Sequence, residues 1–373
     1  MISRPTEAPG TTLGTDQDST RTRGLAPLPR GWTRADLHVH TSFSGWGHLR
    51  GIGAQDCYVT PGAAFDAARA RGMDFVCFTD HNTISGALDF LSRRPQDEDR
   101  VIIGEEVDTW IPGSSQRLHI GVFDVDERLH KDVTRLRGNC FELIAELRSR
   151  QAFFALNHPF RGFRSIRSAR RHLGRVLSLV PAIEICNGSD PPSHAAILKA
   201  MIDSGVAGPK VLLGGSDAHR TSRIATVHTS APGRSKSEYL DSLRHGICTV
   251  GGSPPGLRTL VWDVYAIVGE YYRRLLADLG TASGRRRIRN LPGAAALVPG
   301  VLAGVPLALT IAQACRQEWI ARFGRWETLA HASGDAIEAT GDTPGVCRSP
   351  ACFSASACSW LHDVDASSEE GAP

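Results

Sequence analysis

Between Ala35 and His219 short apolar runs suited to β-strands alternate with stretches of helical periodicity, and this pattern limits the fold more than any other feature. Asp36–Thr41, Asp74–Asp80, Val101–Val107, Leu118–Asp124, Ala152–His158, Ala182–Asn187 and Lys210–Ser216 read as seven strands. Most are apolar on both faces, as parallel strands are when helices cover both sides of their sheet. Helices are predicted at Pro61–Arg71, with Thr60 as N-cap and Gly72 as stop, near Ser85–Arg93, around Cys140–Arg150 and from His194 to Ser204. The alternation predicts a parallel α/β architecture, either a barrel or an open sheet.

Composition excludes several classes. With 42 basic and 39 acidic residues among 373, the net charge of +3 gives no electrostatic case for a stable nucleic-acid partner. Nine cysteines without a C-x-x-C pair do not form a disulfide framework, and they read as reduced thiols of a cytoplasmic protein. Residues 1–32 contain no apolar run and are expected to be a disordered leader rather than a secretory signal. Residues 334–373 are expected to be a disordered tail, whose Cys347, Cys352 and Cys358 make a poor zinc site. Leu291–Cys315 carries no charge and follows Arg285, Arg286, Arg287 and Arg289, which raises a membrane contact; Pro292, Pro299 and Pro306 favour a broken helical region packed on the main domain. The expected organisation is a main α/β domain over 33–265, then a helical, apolar extension over 266–333.

The strand ends carry the chemistry. His38 and His40 share one face of the first strand, because side chains alternate with period two. A lone H-x-H pair means little. Here, however, Asp80-His81 closes the second strand, Glu105-Glu106 ends the third, His119 lies in the fourth, His158 closes the fifth and Asp217-Ala218-His219 closes the seventh. The carboxyl edge of a parallel sheet is where ligands bind in such folds. Six histidines and several carboxylates gathered there require cations to satisfy them. Period two turns Glu105 and Glu106 to opposite faces without saying which is inward. No G-x-S-x-G elbow, P-loop or H-E-x-x-H is present. Arg161, Arg164, Arg220 and Arg223 follow the fifth and seventh strand ends, and Arg161 and Arg220 are the candidates for gripping a phosphate.

Asp36-Leu37-His38-Val39-His40-Thr41-Ser42, Thr79-Asp80-His81, Gly104-Glu105-Glu106, Asn157-His158-Pro159 and Gly215-Ser216-Asp217-Ala218-His219 resemble the successive motifs of the PHP (polymerase and histidinol phosphatase) superfamily. The resemblance runs over about residues 33–265, and within the superfamily is strongest to a bacterial metallohydrolase branch that includes carbamate hydrolases. It implies a distorted seven-stranded β/α barrel. It also implies metal ligation by His38, His40, His81, Glu106, His119, His158, Asp217 and His219. Glu106 falls on the bridging carboxylate, and Asp80 would orient a ligand histidine from behind. The usual third-metal ligand position falls on Gly45, where His48 could stand in only if the loop curls back, so two or three divalent ions (Zn, Mn or Fe) are implied. The expected function is hydrolysis of a small phosphorylated or nucleotide-like substrate by a metal-bridging hydroxide. The alternatives are a carboxylic ester, amide or carbamate hydrolase on the same site, and a membrane-tethered binding or regulatory protein.

Overall fold

The computed structural model describes residues 25–45, 54–205, 208–281, 295 and 304–324. The seven expected strands all form: β1 (Trp32–Val39), β2 (Phe75–Phe78), β3 (Val101–Trp110), β4 (Arg117–Phe123), β5 (Phe153–Leu156), β6 (Ala182–Asn187) and β7 (Val211–Gly215). Two further strands, β8 (Val227–Pro232) and β9 (Thr249–Gly252), complete a nine-stranded sheet in the order β7-β6-β5-β4-β3-β2-β1-β8-β9.

The sheet is mixed, whereas the sequence pattern suggested parallel strands. Pairs β1–β2, β2–β3, β5–β6 and β6–β7 are parallel, but β4 runs antiparallel to both β3 and β5. The reason lies in the connection. Only Ile111 to Gln116 separate β3 from β4, and the Ile111 N–H donates to Gln116 O at 2.9 Å. A hairpin this short cannot carry the crossover that a parallel neighbour needs. Strand β8 pairs antiparallel with β1, and β9 with β8.

The sheet curls until its ends meet. Gly214 N donates to Thr229 Oγ1 of β8 at 2.8 Å, and just past β7 a parallel bridge joins Val39 to Ala218. Asp36 of β1, fully buried, accepts from Ser216 N at 2.9 Å, Ser216 Oγ at 2.6 Å and Ala225 N at 2.7 Å. Gly215 makes this seam possible, because a Cβ there would sit 2.3 Å from His38 Cβ and 2.9 Å from His38 N. We expect Gly215→Ala to lower unfolding free energy by about 3 kcal/mol, the cost of forcing atoms into a packed site. Urea denaturation monitored by circular dichroism checks this.

Helices α1 (Pro61–Ala70), α2 (Ser85–Arg93), α3 (Glu127–Leu136), α4 (Cys140–Ser149), α5 (Ile166–Leu179), α6 (Ser193–Asp203) and α7 (Lys236–Arg244) belong to the barrel unit. Side-chain caps start several of them: Thr60, Asp126, Asn139, Ser165 and Ser235 each accept a backbone N–H from the first turn. Helix α8 (Leu257–Thr281) runs unbroken across residue 265, so the boundary expected there falls inside a helix. Helix α9 (Val305–Phe323) packs against α8. Among the described residues no helix is long and apolar enough to cross a membrane. The tail over 334–373, most of the leader, and 291–294 and 296–303 of the uncharged segment lie outside the described residues.

One irregularity positions the site. Ala35 and Leu37 pack with Phe75 and Cys77, yet Val39 packs with Val76 and Phe78 from the opposite face of β2. Strict alternation would put Leu37 and Val39 together. The β1–β2 register shifts between Asp36 and Val39, and this bulge re-aims the following side chains. His38 and His40 thereby turn into the mouth of the barrel.

Candidate metal centre

All eight residues expected as ligands gather at one end of the barrel. Glu106, 1% exposed, is the hub. Its Oε1 lies 2.8 Å from His158 Nε2, 3.2 Å from His119 Nδ1 and 3.4 Å from His38 Nε2. Its Oε2 lies 3.2 Å from His81 Nδ1 and 3.4 Å from His40 Nε2. Asp217 Oδ1 stands 3.2 Å from His40 Nε2 and 3.5 Å from His38 Nε2. Glu105 faces away, where its Oε2 meets His130 Nδ1 of α3 at 3.0 Å, so the geometry selects Glu106. His119 arrives differently from the others. It sits near the start of β4, and the reversed direction of that strand brings its first residues to the end where β3 finishes, opposite Asp108.

The backbone is bent to present these groups. His158 and Asp217 have φ of +28° and +50°, a left-handed region that costs a non-glycine residue energy. Such strain is kept where a side chain must be aimed.

The far side of each ring fixes which nitrogen faces inward. His38 Nδ1 meets Glu184 Oε1 at 2.8 Å, which assigns the proton to Nδ1 and leaves Nε2 as a lone-pair donor. His40 Nδ1 donates to Ser44 Oγ at 2.9 Å, since that hydroxyl itself donates to Asp80 Oδ1 at 2.8 Å. His219 Nδ1 donates to Asp217 O at 3.0 Å, and His119 Nε2 lies 2.9 Å from Asp108 Oδ1. Asp80 therefore reaches His40 through Ser44. It also accepts from Thr41 N at 2.6 Å and Thr41 Oγ1 at 2.7 Å.

Do cations fit? Four sets of three donors fall within 4.8 Å of one another: His38–His40–Asp217, His38–Glu106–His158, His81–Glu106–His119 and His40–His81–His219. Ligands about 2.1 Å from a tetrahedral ion stand about 3.4 Å apart, close to the separations seen. His81 Nδ1 is buried 3.2 Å from Glu106 Oε2, yet it makes no hydrogen bond, as expected of atoms aimed at a shared point. Electrostatics agrees. Burial opposes charge on Glu106 and Asp217, but the imidazoles of His119, His38, His81 and His158 around Glu106, and chiefly Arg161 and His38 around Asp217, hold both well below the usual carboxylate range. Burial likewise opposes protonation of His38 and His40, while Glu184, Glu106 and Asp217 raise the first well above the ordinary value and Asp217 and Glu106 raise the second to about 9. Yet their Nε2 atoms face each other at 3.1 Å and cannot both carry protons. A divalent ion resolves that conflict. The N/O donor set suits zinc, manganese or iron(II).

Metal binding should then expel at least one proton at neutral pH, from the His38–His40 pair, because a ligating imidazole must be deprotonated. Calorimetric titration of the apoprotein in buffers of different ionisation enthalpy measures the number.

Arg161 and Arg220 sit on the rim of the cleft, but both guanidinium groups are already engaged. Arg161 Nη1 donates to Asp217 Oδ2 at 2.6 Å, Nη2 to Asn187 Oδ1 at 3.0 Å, and Nε and Nη2 to Asp190 Oδ1 at 3.2 and 2.8 Å. Arg220 Nη1 donates to Asp263 Oδ1 of α8 at 2.8 Å, and Arg223 Nε lies 3.3 Å from Asp263 Oδ2. His48, the substitute considered for Gly45, lies outside the described residues.

Sequence reasoning missed three supports. Glu184 holds His38 Nδ1 and accepts from His158 N at 3.0 Å and Asn187 Nδ2 at 2.8 Å; a carboxylate inside the apolar run of β6 was the available signal. Asp108 shares the face of Glu106 by period two, and orients His119. Asn157, whose Nδ2 donates to Glu106 Oε1 at 3.0 Å, gave no signal beyond its place beside His158.

A barrel with buried imidazoles and carboxylates converging at one mouth could hold divalent cations. Residues 36–137 match the family model of the PHP domain, and this stretch contributes His38, His40, His81, Glu106 and His119. An uncharacterised protein of Methanocaldococcus jannaschii is 34% identical over 76 residues, 20% of this chain and 44% of that protein. The chain thus spans less than half the length of that curated relative. Three solved structures are similar. A candidate metal-dependent phosphoesterase from Bifidobacterium adolescentis has TM-score 0.36 and 15% identity, covering 56% of this chain and 94% of the other. PsfC from Pseudomonas syringae has TM-score 0.44 and 17% identity, covering 64% and 98%. An amidohydrolase from Chromobacterium violaceum has TM-score 0.35 and 16% identity, covering 50% and 87%.

Proposed function

We propose that this chain is a metal-dependent hydrolase acting on a small phosphoester. The observation that carries the reading is the Glu106 hub, with five imidazole nitrogens within 3.4 Å, opening into a cleft of about 1550 Å³. His38, His40, Asp217, Glu106, His158, His119, His81 and His219 would hold two or three ions. Bound there, divalent ions supply Lewis acidity and an activated water without a protein nucleophile. The protein side chains do the rest. Glu184, Ser44 and Asp108 fix ring orientation, and Arg161 fixes Asp217.

Charge favours a phosphoester over a neutral carboxylic ester or carbamate. Glu106 and Asp217 are committed to the centre, and Asp263 is neutralised by Arg220 and Arg223. Arg164 and Arg316 also line the cleft and make no ion pair among the described residues. Such a rim suits an anion. Arg220 stays in the proposal as a substrate contact through guanidinium N–H groups that Asp263 leaves over.

Metal-analysed protein should turn over phosphomonoesters or phosphodiesters and lose that activity on chelation. Hydrolysis confined to carboxylic esters, amides or carbamates would overturn the phosphoester assignment while keeping the metallohydrolase.

A further inference from the structure

Helix α8 is not used by the centre, yet one side of it forms a wall of the same cleft. Leu260, Val264, Ile267, Val268, Tyr271 and Tyr272 recur at intervals of three and four and line the cavity that also holds His81, Glu106, Asp217 and His219. Two anchors set the helix there. Asp263 receives Arg220 and Arg223 from the loop after β7, and Tyr271, Tyr272 and Leu275 pack on Ala54. Between and before these anchors Leu260, Val264, Ile267 and Val268 are only half-buried, so the barrel does not fill the space beneath them. Helix α9 extends the same wall with Val305 and Leu309, which are 39% and 64% exposed. The cleft therefore has two halves of opposite character: ionic at the barrel mouth, apolar along α8. From Leu260 to Tyr272 the apolar wall is roughly 18 Å long. A small polar phosphate would touch only the ionic half.

Resting on the phosphoester reading above, we propose that the substrate is an amphiphile: a phosphoester whose phosphoryl group meets the His–carboxylate centre and whose apolar substituent lies along α8. A linear acyl or alkyl chain and a fused aromatic share the required chemistry. Arg220 and Arg223, tied to Asp263, mark the seam between the two halves.

The test is a chain-length series. Inorganic phosphate, methyl-, butyl-, octyl- and 1-naphthylphosphonate are titrated calorimetrically into metal-loaded protein, and the matching phosphate esters are assayed for turnover. Kd should fall about two- to fourfold per added methylene, the effect of removing that surface from water. Ile267→Ser and Leu260→Ser should each flatten this dependence, cutting the octyl-to-methyl affinity ratio about tenfold. Trp262→Ser, on the outward side of α8 at 64% exposure, should leave the slope as in wild type. Gain with octyl alone points to lipid-like substrates, gain with naphthyl alone to aryl ones, and either supports the proposal. A flat series with phosphate still bound overturns the amphiphile and spares the phosphoester reading, and the wild-type series decides this even if a variant fails to fold. Absence of any phosphate or phosphonate binding at full metal content overturns both.

Discussion

Glu106→Gln should leave a folded protein that holds less than half of the wild-type metal and hydrolyses its substrate at least about a thousandfold more slowly. The substitution keeps the side chain's shape and removes its charge. In the wild type, His158, His119, His81, His38 and His40 all place a nitrogen 2.8 to 3.4 Å from this one carboxylate. Among the described residues no other is shared so widely. The amide that replaces it would offer one neutral oxygen and turn an NH2 toward atoms that must act as lone-pair donors. The fold should persist, because the backbone of Glu106 is held by its pairing with Gly121 and its bridge to His81. Elemental analysis, circular dichroism and turnover on one preparation decide the matter. A Glu106→Gln protein with full metal content and activity would remove Glu106 from the centre.

The contrast with Glu105 shows what the sequence could and could not reveal. Period two separates the two glutamates onto opposite faces, but naming the inner one required either resemblance or the sheet itself. Seven strands and the histidines and carboxylates at their ends were legible because apolar runs and His or Asp punctuation are local signals. The direction of β4 was not, since it depends on a short hairpin after Trp110 rather than on composition. Nor was the β1 bulge, which moves His38 and His40 inward by breaking the very alternation used to read strands. β8 and β9 escaped notice for a related reason. Val227–Pro232 mixes buried His228, Thr229 and Ser230 with few apolar residues, and its place in the sheet is secured by long-range pairing to β1. The position of α8 over the cleft is likewise a tertiary fact. Its anchoring ion pairs join residues about forty positions apart, so Arg220 reads on paper as an open rim arginine and in the fold as the partner of Asp263.

Arg161 carries the same lesson to a measurable difference. A rim arginine three residues after His158 suggests substrate binding, which predicts that Arg161→Met raises KM and spares the metals. The geometry predicts otherwise. Arg161 is the cation between two buried carboxylates, Asp217 and Asp190, and it holds Asp190 well below the ordinary range although burial alone would raise it. Methionine fills similar space but leaves both acids without their partner. Breaking a buried pair in this way costs about 3–5 kcal/mol, because one charge is left uncompensated. Asp217 would also lose the contact that aims Oδ1 at His38 and His40, and disturbing such a support weakens metal binding about 10- to 100-fold. The expected result is a lower Tm, weaker metal retention on dialysis against a graded chelator, and a fall in kcat that added metal partly restores. If Arg161→Met keeps wild-type Tm and metal affinity and changes KM alone, the guanidinium serves the substrate directly and its contacts to Asp190 and Asp217 are incidental.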